Sequence, residues 1–236
     1  MELDQKQRLY HLGFLEGEFE HTEALSQLIK VCEEIKNKKI KSKYRFVEKY
    51  PNTCDLKPCP IDYDECFLQV LKENNIDKVF QTCVGEGINL NNLQVRIAYS
   101  APNGEAHNYM PWHRDNYVYY DTSETAGFLP PGYKLIYYPN LGNKCSENIA
   151  LIPGSHLQVK FNKSEDFSQT FSYAPIKFKA NKNKYIIFNT SIMHGTLPVD
   201  NIEGEIRVIY NFTHKMHIDS QSSMQINKKY EEHLND

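Results

Sequence analysis

The pattern of hydrophobic and polar positions divides the chain into a helical first third and a strand-rich remainder. Apolar residues at helical spacing follow Thr22, whose hydroxyl can cap a helix, and they predict a helix from Glu23 to about Lys36. Three prolines interrupt the stretch around residue 55 and favour a loop there. The other predicted elements of this part are a short strand within residues 12–19, the loop at 50–62, and helices at about 64–73 and 76–83.

From residue 93 onward, short runs rich in Val, Ile, Tyr and Phe alternate with Gly, Pro and Asn. Such runs at close spacing, with no helices predicted between them, are typical of a β-sandwich or barrel. The predicted strands lie at about 93–100, 106–113, 133–138, 148–152, 174–179, 184–189 and 205–212. The sequence therefore predicts a mostly β fold with a helical N-terminal part, in which helices flank an antiparallel jelly-roll barrel.

The length of 236 residues suits a single domain that spans residues 1–236. Within it, residues 1–92 are expected to form a mainly helical support, residues 93–212 the barrel core, and residues 213–236 a C-terminal tail. Hydrophobic residues make up only 40% of the chain, but its 16 Tyr and 12 Phe suit the half-buried surfaces of strands.

Charge and hydropathy exclude several classes of protein. The net charge of −3 argues against a dedicated nucleic-acid binder, and no apolar run approaches the roughly 18 residues of a membrane span. The acidic start, Met1-Glu2-Leu3-Asp4, lacks the basic and apolar regions of a signal peptide, so we expect a cytoplasmic protein with reduced cysteines. The basic run at 36–45 is predicted to be a solvated loop, with contact to an anionic partner as the alternative.

One group of residues indicates a metal site. His113 and Asp115 lie at the end of a predicted strand, where alternate residues point to the same face, so both side chains can bind one ion. His194, just after the predicted strand 184–189, offers a second imidazole from a distant part of the chain. Two imidazoles and one carboxylate on one face of a metal leave adjacent positions open, which suits a non-haem Fe(II) oxygenase.

A buried cation supports the same interpretation. Arg207 lies inside an otherwise apolar predicted strand, and a charge at such a position is costly unless it is paired. The fork of a guanidinium matches a carboxylate in two-point geometry. A dicarboxylate cosubstrate would supply that partner.

These residues, together with the segment Glu-Asn-Ile-Ala-Leu-Ile-Pro-Gly-Ser-His at 147–156 and the sequence His194-Gly195-Thr196, carry a family resemblance. The chain resembles the phytanoyl-CoA dioxygenase-like family of Fe(II)/2-oxoglutarate-dependent oxygenases. The resemblance covers about residues 93–212 and extends weakly to residues 11–35. It implies a double-stranded β-helix, a jelly-roll or cupin-like barrel flanked by α-helices.

The resemblance also implies roles for individual residues. His113, Asp115 and His194 would hold Fe(II). The residues that it implies for 2-oxoglutarate are Arg207, Thr196 and Gln94, with Arg96 on the same strand face as a rival to Gln94. The implied activity is that of a dioxygenase, which uses O2 and 2-oxoglutarate to hydroxylate a small or medium-sized organic molecule and releases succinate and CO2.

Two other functions compete with this one. The first is a catalytically inactive barrel-type protein that keeps the metal ligands and binds a metal or ligand without turnover. The second is an enzyme such as a hydrolase that uses the triad with another metal, although a hydrolase does not need the carboxylate anchor Arg207. The aromatic segment 116–133 is expected to form a lid over the substrate. The sequence selects neither a substrate nor an oligomeric state.

Overall fold

The computed structural model describes residues 3–50, 53–85, 88–98, 110–115, 132–139, 149–160, 163–196, 205–214 and 221–235. The α-helices in these ranges are α1 (Gln5–Gln7), α2 (Glu23–Lys36), α3 (Cys66–Glu73), α4 (Ile76–Val84), α5 (Lys163–Ser168) and α6 (Gln221–Asn235). The shorter helical turns are a π-helical turn at Arg8–Leu12 and 3-10 turns at Pro60–Asp62 and Ser155–Leu157.

Eleven strands in the described ranges form two antiparallel sheets. They are β1 (Phe14–Glu18), β2 (Arg45–Tyr50), β3 (Thr53–Lys57), β4 (Ile88–Ala98), β5 (Met110–His113), β6 (Gly132–Tyr137), β7 (Ile149–Leu151), β8 (Ile176–Lys177), β9 (Lys184–Asn189), β10 (His194–Thr196) and β11 (Glu205–His214). The larger sheet has the order β1-β9-β6-β11-β4-β3-β2, and the smaller has the order β5-β10-β7-β8. The predicted mostly β jelly-roll architecture with flanking helices is confirmed.

The two faces of the larger sheet pack against different partners. In β11, Ile206, Val208 and Tyr210 belong to a core shared with the helices, whereas Ile209 belongs to a core shared with the smaller sheet. This division follows from the alternation of side chains along a strand. Arg207 has the same parity as Ile209, so it lies on the face toward the smaller sheet.

Helices cover the outer face of the larger sheet. Thr22 caps α2, its hydroxyl accepting from the backbone N–H of Leu25 at 3.2 Å, as the sequence predicts. Tyr210 donates from its hydroxyl to the carbonyl oxygen of Phe67 on α3 at 2.8 Å. At the other end of the chain, Asn227 on α6 accepts from the backbone N–H of Leu90 at 3.0 Å. Helices from both ends of the chain therefore fasten to the same pair of strands, β4 and β11.

Two predictions about secondary structure are wrong, and one helix lies in a segment for which the sequence predicts no element. Residues 50–62 are not wholly a loop, because β3 pairs with β2 and β4. The prolines flank this strand rather than interrupt it, and its Asp55 is held by Arg96 on β4. Helix α6 lies within the predicted C-terminal tail, and its apolar signal is little more than Ile226 and Tyr230. Helix α5 lies between β7 and β8, where the sequence predicts no helix.

The predicted helices at Glu23–Lys36, 64–73 and 76–83 are confirmed to within two residues, and the strand within 12–19 is confirmed as β1. The predicted lid at 116–133 lies outside the described residues, apart from its last two positions, which begin β6. In the described part of the chain, no helix is both long and apolar enough to cross a membrane.

Replacing Leu28 by Ala tests the packing of α2 against the larger sheet. The side chain is fully buried, with 0% exposure. Its truncation is expected to lower the free energy of unfolding by about 2–5 kcal/mol, because a cavity adds to the lost burial. Urea denaturation measures the change. Lys30→Ala, on the exposed side of the same helix, should stay within about 0.5 kcal/mol of the wild type, and an equal loss in both variants would contradict the packing.

Candidate metal centre

Antiparallel pairing brings the two predicted imidazole ligands together. His194 on β10 lies directly opposite His113 on β5, and the centroids of the two rings are 4.2 Å apart. Asp115 follows β5, and its backbone N–H donates to the carbonyl oxygen of Thr190 at 2.9 Å. Residues that are far apart in the sequence therefore converge through one strand pair and one loop hydrogen bond.

The potential ligand atoms of His113, Asp115 and His194 all lie within 4.8 Å of one another. The Nε2 atom of His194 lies 3.2 Å from Oδ2 of Asp115, and the Nε2 atom of His113 lies 3.7 Å from Oδ1. The carboxylate thus turns one oxygen toward each imidazole. Such a cluster has the donor types and the proximity to hold one metal ion.

Backbone carbonyls orient both rings. The Nδ1 atom of His113 lies 2.8 Å from the carbonyl oxygen of Pro111, and that of His194 lies 2.9 Å from the carbonyl oxygen of Ile192. Because a carbonyl only accepts, each Nδ1 carries the proton and donates it, which leaves Nε2 available as a ligand. The Nε2 atom of His113 is buried without a hydrogen-bond partner. The side chains therefore fit a metal ion.

The charge states suit metal binding as well. Burial would raise the pKa of the Asp115 carboxyl, but the nearby imidazoles of His113 and His194 and the charge of Lys134 hold that pKa well below its usual range. Burial lowers the pKa of His194, against the opposing influence of Asp115. An ionised carboxylate and a neutral imidazole are the forms that bind a metal.

The cluster opens into a cavity of about 170 Å³ between the two sheets. The smaller sheet and the loop after β5 supply His113, Asp115, Ile149, His194, Gly195 and Thr196 to its wall, and the larger sheet supplies Lys49, Gln94, Arg96, Lys134, Ile136, Phe188, Arg207 and Ile209. All six residues predicted for the metal and the cosubstrate therefore line one cavity.

Arg207 is a buried cation in this wall. Burial and the charge of Arg96, which lies opposite it in the β4–β11 pair, lower the pKa of Arg207 to about 9, so it stays charged at neutral pH. Its Nε atom lies 3.4 Å from Oε1 of Glu205, and its guanidinium carbon lies 5.7 Å from the ring centroid of Tyr138. Two adjacent arginines are therefore buried at this end of the cavity, and each has a carboxylate beside it.

Arg96 is held mainly by the hairpin that the sequence prediction misses. Its Nε and Nη2 atoms donate to the two carboxylate oxygens of Asp55 at 2.7 and 3.1 Å. This two-point bond neutralises Arg96 and fixes its plane. Gln94 lies one step along the same face of β4, opposite Ile209, and Thr196 lies in the opposite wall on β10.

Lys134 on β6 is a site residue that the sequence prediction misses. Its Nζ atom lies 2.7 Å from Oδ2 of Asp115, and its side chain is only 18% exposed. A single lysine in an alternating strand looks the same in the sequence whether its face meets solvent or a cavity. Only the packing of the second sheet decides between them.

The other residues considered in the sequence lie away from the cavity wall. His156 packs over Gly13, and its Nε2 atom donates to the carbonyl oxygen of Tyr10 at 2.9 Å, so it joins two segments of the chain. The cations of the basic run are all exposed; they are Lys36, Lys38, Lys39, Lys41, Lys43 and Arg45.

No protein-family model and no curated protein matches the amino-acid sequence. Solved structures do resemble the fold. The non-heme alpha ketoglutarate dependent epimerase SnoN from nogalamycin biosynthesis matches with a TM-score of 0.62 at 10% identity, over 89% of this chain and 79% of SnoN. HygX from Streptomyces hygroscopicus, with nickel and 2-oxoglutarate bound, matches with a TM-score of 0.60 at 12% identity, over 90% of this chain and 87% of HygX.

A third structure, EctD from S. alaskensis with bound Fe, matches with a TM-score of 0.59 at 15% identity, over 89% of this chain and 75% of EctD. At such low identities the likeness establishes the fold, which is the double-stranded β-helix of 2-oxoglutarate oxygenases. The implied fold is therefore confirmed, whereas membership of the phytanoyl-CoA dioxygenase-like branch stays a prediction.

Replacement of the metal ligands tests the centre directly. We expect the wild type to bind one Co(II) ion, and His194→Ala or Asp115→Ala to abolish binding, because two remaining donors hold a divalent ion poorly. Visible absorption during Co(II) titration measures this. His21→Ala removes an exposed imidazole outside the cluster and should bind as the wild type does. Retained binding in Asp115→Ala would place the metal elsewhere.

Lys134 gives a second, opposite prediction. Its ammonium lies against a carboxylate that we assign to the metal, so it should repel the ion. Lys134→Met keeps the apolar stem but not the charge, and should raise Co(II) affinity several-fold. Lys177→Met, at an exposed position on β8, serves as the matched control and should leave the affinity unchanged. A weaker affinity in Lys134→Met would mean that the ammonium supports the metal ligands instead.

Proposed function

We propose that this protein is an Fe(II)- and 2-oxoglutarate-dependent dioxygenase that hydroxylates a small or medium-sized organic molecule. The observation that carries the proposal is the joint presence of the His113–Asp115–His194 cluster and the buried Arg207 in one cavity between two sheets. The likeness of the fold to enzymes crystallised with Fe, or with nickel and 2-oxoglutarate, supports it.

The donor set favours iron. Two imidazoles and one carboxylate leave adjacent coordination positions open, as a facial triad of a non-haem Fe(II) oxygenase does. When bound, iron(II) with 2-oxoglutarate and O2 supplies the chemistry that removes a hydrogen atom from a C–H bond, and the cosubstrate leaves as succinate and CO2. The rest of the reaction depends on how the chain positions its reactants.

The register of the larger sheet supports a place for the cosubstrate. Lys134, beside the cluster, lies opposite Asn211 on β11, four residues from Arg207. At the rise of an antiparallel strand, four residues correspond to about 13 Å along the sheet. A dicarboxylate bound at the metal, together with the length of the Arg207 side chain, would span the distance between the cluster and the backbone of Arg207. Ile209 and Ile136 pair with each other between the positions of Lys134 and Arg207, and they offer an apolar wall for the carbon chain of the cosubstrate.

Each lining residue then has a distinct role. Arg207 would bind the distal carboxylate of 2-oxoglutarate in two-point geometry, with hydroxyl and amide support from Thr196 and Gln94. Phe188 and Ile149 would exclude water from the reacting atoms, since both are buried apolar side chains in the wall. Glu205 would keep the guanidinium oriented when the cosubstrate is absent.

Hydroxylation is the reaction we assign within this class. Asp115 is an intact carboxylate, whereas the family resemblance implies a small residue at this position in related halogenases. The fold itself leaves the reaction open, because its structural neighbours include the epimerase SnoN and the carbocyclase SnoK. The substrate is therefore to be identified by turnover, with release of succinate as the readout.

Binding of 2-oxoglutarate tests the proposal. Anaerobic addition of Fe(II) and 2-oxoglutarate should produce a visible charge-transfer band, and the same mixture in air should release succinate, slowly even without a substrate. An inactive binding protein would give no succinate. Tight binding of zinc with no band in the presence of iron would contradict the proposal and favour a hydrolase.

Arg207→Gln tests the assigned anchor. We expect the dissociation constant for 2-oxoglutarate to rise about 10- to 100-fold, since hydrogen bonds to a charged group contribute about 1.5–3 kcal/mol. Affinity for Co(II) should stay unchanged, and a thermal melt checks that the variant is folded. Arg45→Gln, which removes an exposed arginine on β2, is the control. Equal loss of metal and cosubstrate binding would mean that Arg207 supports the fold rather than the cosubstrate.

A further inference from the structure

The residue between the proposed ligands His113 and Asp115 is itself unusual. Arg114 follows His113 and precedes Asp115, so on an extended segment its side chain points to the opposite face, away from the cavity. The side chain is fully buried, with 0% exposure. It does not line the cavity wall. A buried arginine at this position therefore acts on the rest of the chain rather than on the contents of the cavity.

The guanidinium of Arg114 binds acceptors from three separate segments. Its Nε and Nη2 atoms donate to the two carboxylate oxygens of Asp166 on α5, at 2.7 and 2.8 Å. Its Nη1 atom donates to the carbonyl oxygen of Ser155 at 2.8 Å and also to that of Ser191. Four N–H groups of the planar fork are directed at this fixed set of acceptors, a geometry that a lysine cannot reproduce.

Two of these segments, those of Ser155 and Ser191, hold the chain just before His194. Ser191 lies three residues before His194. The hydroxyl of Ser155 accepts from the backbone N–H of Met193, the residue before His194, at 2.8 Å. The backbone N–H of Asp115 donates to Thr190 in the same turn. One side chain thus ties the segment of His113 and Asp115 to the segment of His194.

The carboxylate at the other end is equally fixed. Asp166 has 0% side-chain exposure, and its Oδ1 atom also accepts from the side-chain amide of Gln169 at 2.6 Å and from the backbone N–H of Lys160 at 3.3 Å. Helix α5 supplies no residue to the cavity wall. The carboxylate of Asp166 is nevertheless linked to the ligand segments, because it binds Arg114, which lies between His113 and Asp115.

Stability alone does not account for this pair. Burying two opposite charges costs several kcal/mol of desolvation, so that a well-packed apolar pair often stabilises a fold as well or better. We infer that Arg114 and Asp166 form a positioning pair that holds His113, Asp115 and His194 at metal-binding separation. This inference rests on the metal role that the proposed function gives to the three ligands.

The chain contains its own matched control. Arg96 and Asp55 form a second buried arginine–aspartate pair with the same two-point geometry, and they lie on β4 and β3 of the larger sheet rather than on the segments that carry the ligands. Asp55→Asn and Asp166→Asn each remove one charge from a buried pair and keep the shape of the side chain. Both should destabilise the fold, but only Asp166→Asn should disturb the metal cluster.

The experiment compares the two variants with the wild type in two measurements. In Co(II) titrations without 2-oxoglutarate, Asp166→Asn should bind about 10- to 100-fold more weakly, the usual effect of losing a group that orients metal ligands, and should show an altered visible spectrum. In metal-free protein, the amide hydrogens of Asp115 and Met193 should exchange faster. Asp55→Asn should match the wild type in both measurements.

The outcomes separate the inference from the proposed function. Wild-type Co(II) affinity and wild-type exchange in Asp166→Asn would overturn the inference, as would equal changes in Asp55→Asn. A wild-type protein that bound no Co(II) would overturn the proposed function, whereas the exchange rates would still decide whether the pair holds the segments. If Asp166→Asn fails to fold, Ser155→Ala removes only the bond to Met193, and faster exchange there with weaker Co(II) binding is the expected result.

Discussion

The pairing of β4 with β11 is the interaction on which the rest of the structure depends. One face of this pair packs against helices from both ends of the chain, and the other face looks into the space between the sheets. The two faces impose opposite requirements on alternate residues. Val208 and Tyr210 are buried in the core shared with the helices, whereas Arg207 on the same strand is a cation in the wall of a cavity. The fold and the site therefore share one strand pair.

Burying charge in this interior requires nearby compensation, which the chain supplies from several places. The hairpin of β2 and β3 brings Asp55 to Arg96, and β11 itself places Glu205 beside Arg207. On the far side of the smaller sheet, α5 brings Asp166 to Arg114. Because a carboxylate accompanies each buried arginine named here, the cations keep defined orientations.

The two walls of the cavity divide the proposed chemistry between them. The smaller sheet and its loops hold the ligand cluster, while the larger sheet supplies the proposed anchor Arg207 and the apolar surfaces between. The likeness to SnoN, HygX and EctD, at 15% identity or less, shows that the fold is kept while the sequence diverges.

The sequence by itself determined the helices α2, α3 and α4, most strands of the core, and the candidate ligands His113, Asp115 and His194. These features carry local signals, either a periodicity or a short spacing along one strand. The hairpin at β3 and the helix α6 lacked such signals. Prolines near β3 favoured a loop, and α6 has too few apolar residues at helical spacing to predict a helix.

Tertiary structure alone decided the partners. Nothing local in the sequence shows that Lys134 faces Asp115, that Asp55 holds Arg96, or that Asp166 reaches Arg114 across 52 positions of the chain. A charged residue in a strand looks the same whether its face is solvated or enclosed. Whether the face is solvated or enclosed depends on where the other sheet or the helices pack. Long-range strand pairing sets that packing, and the cost of leaving a buried charge unpaired limits which arrangements are stable.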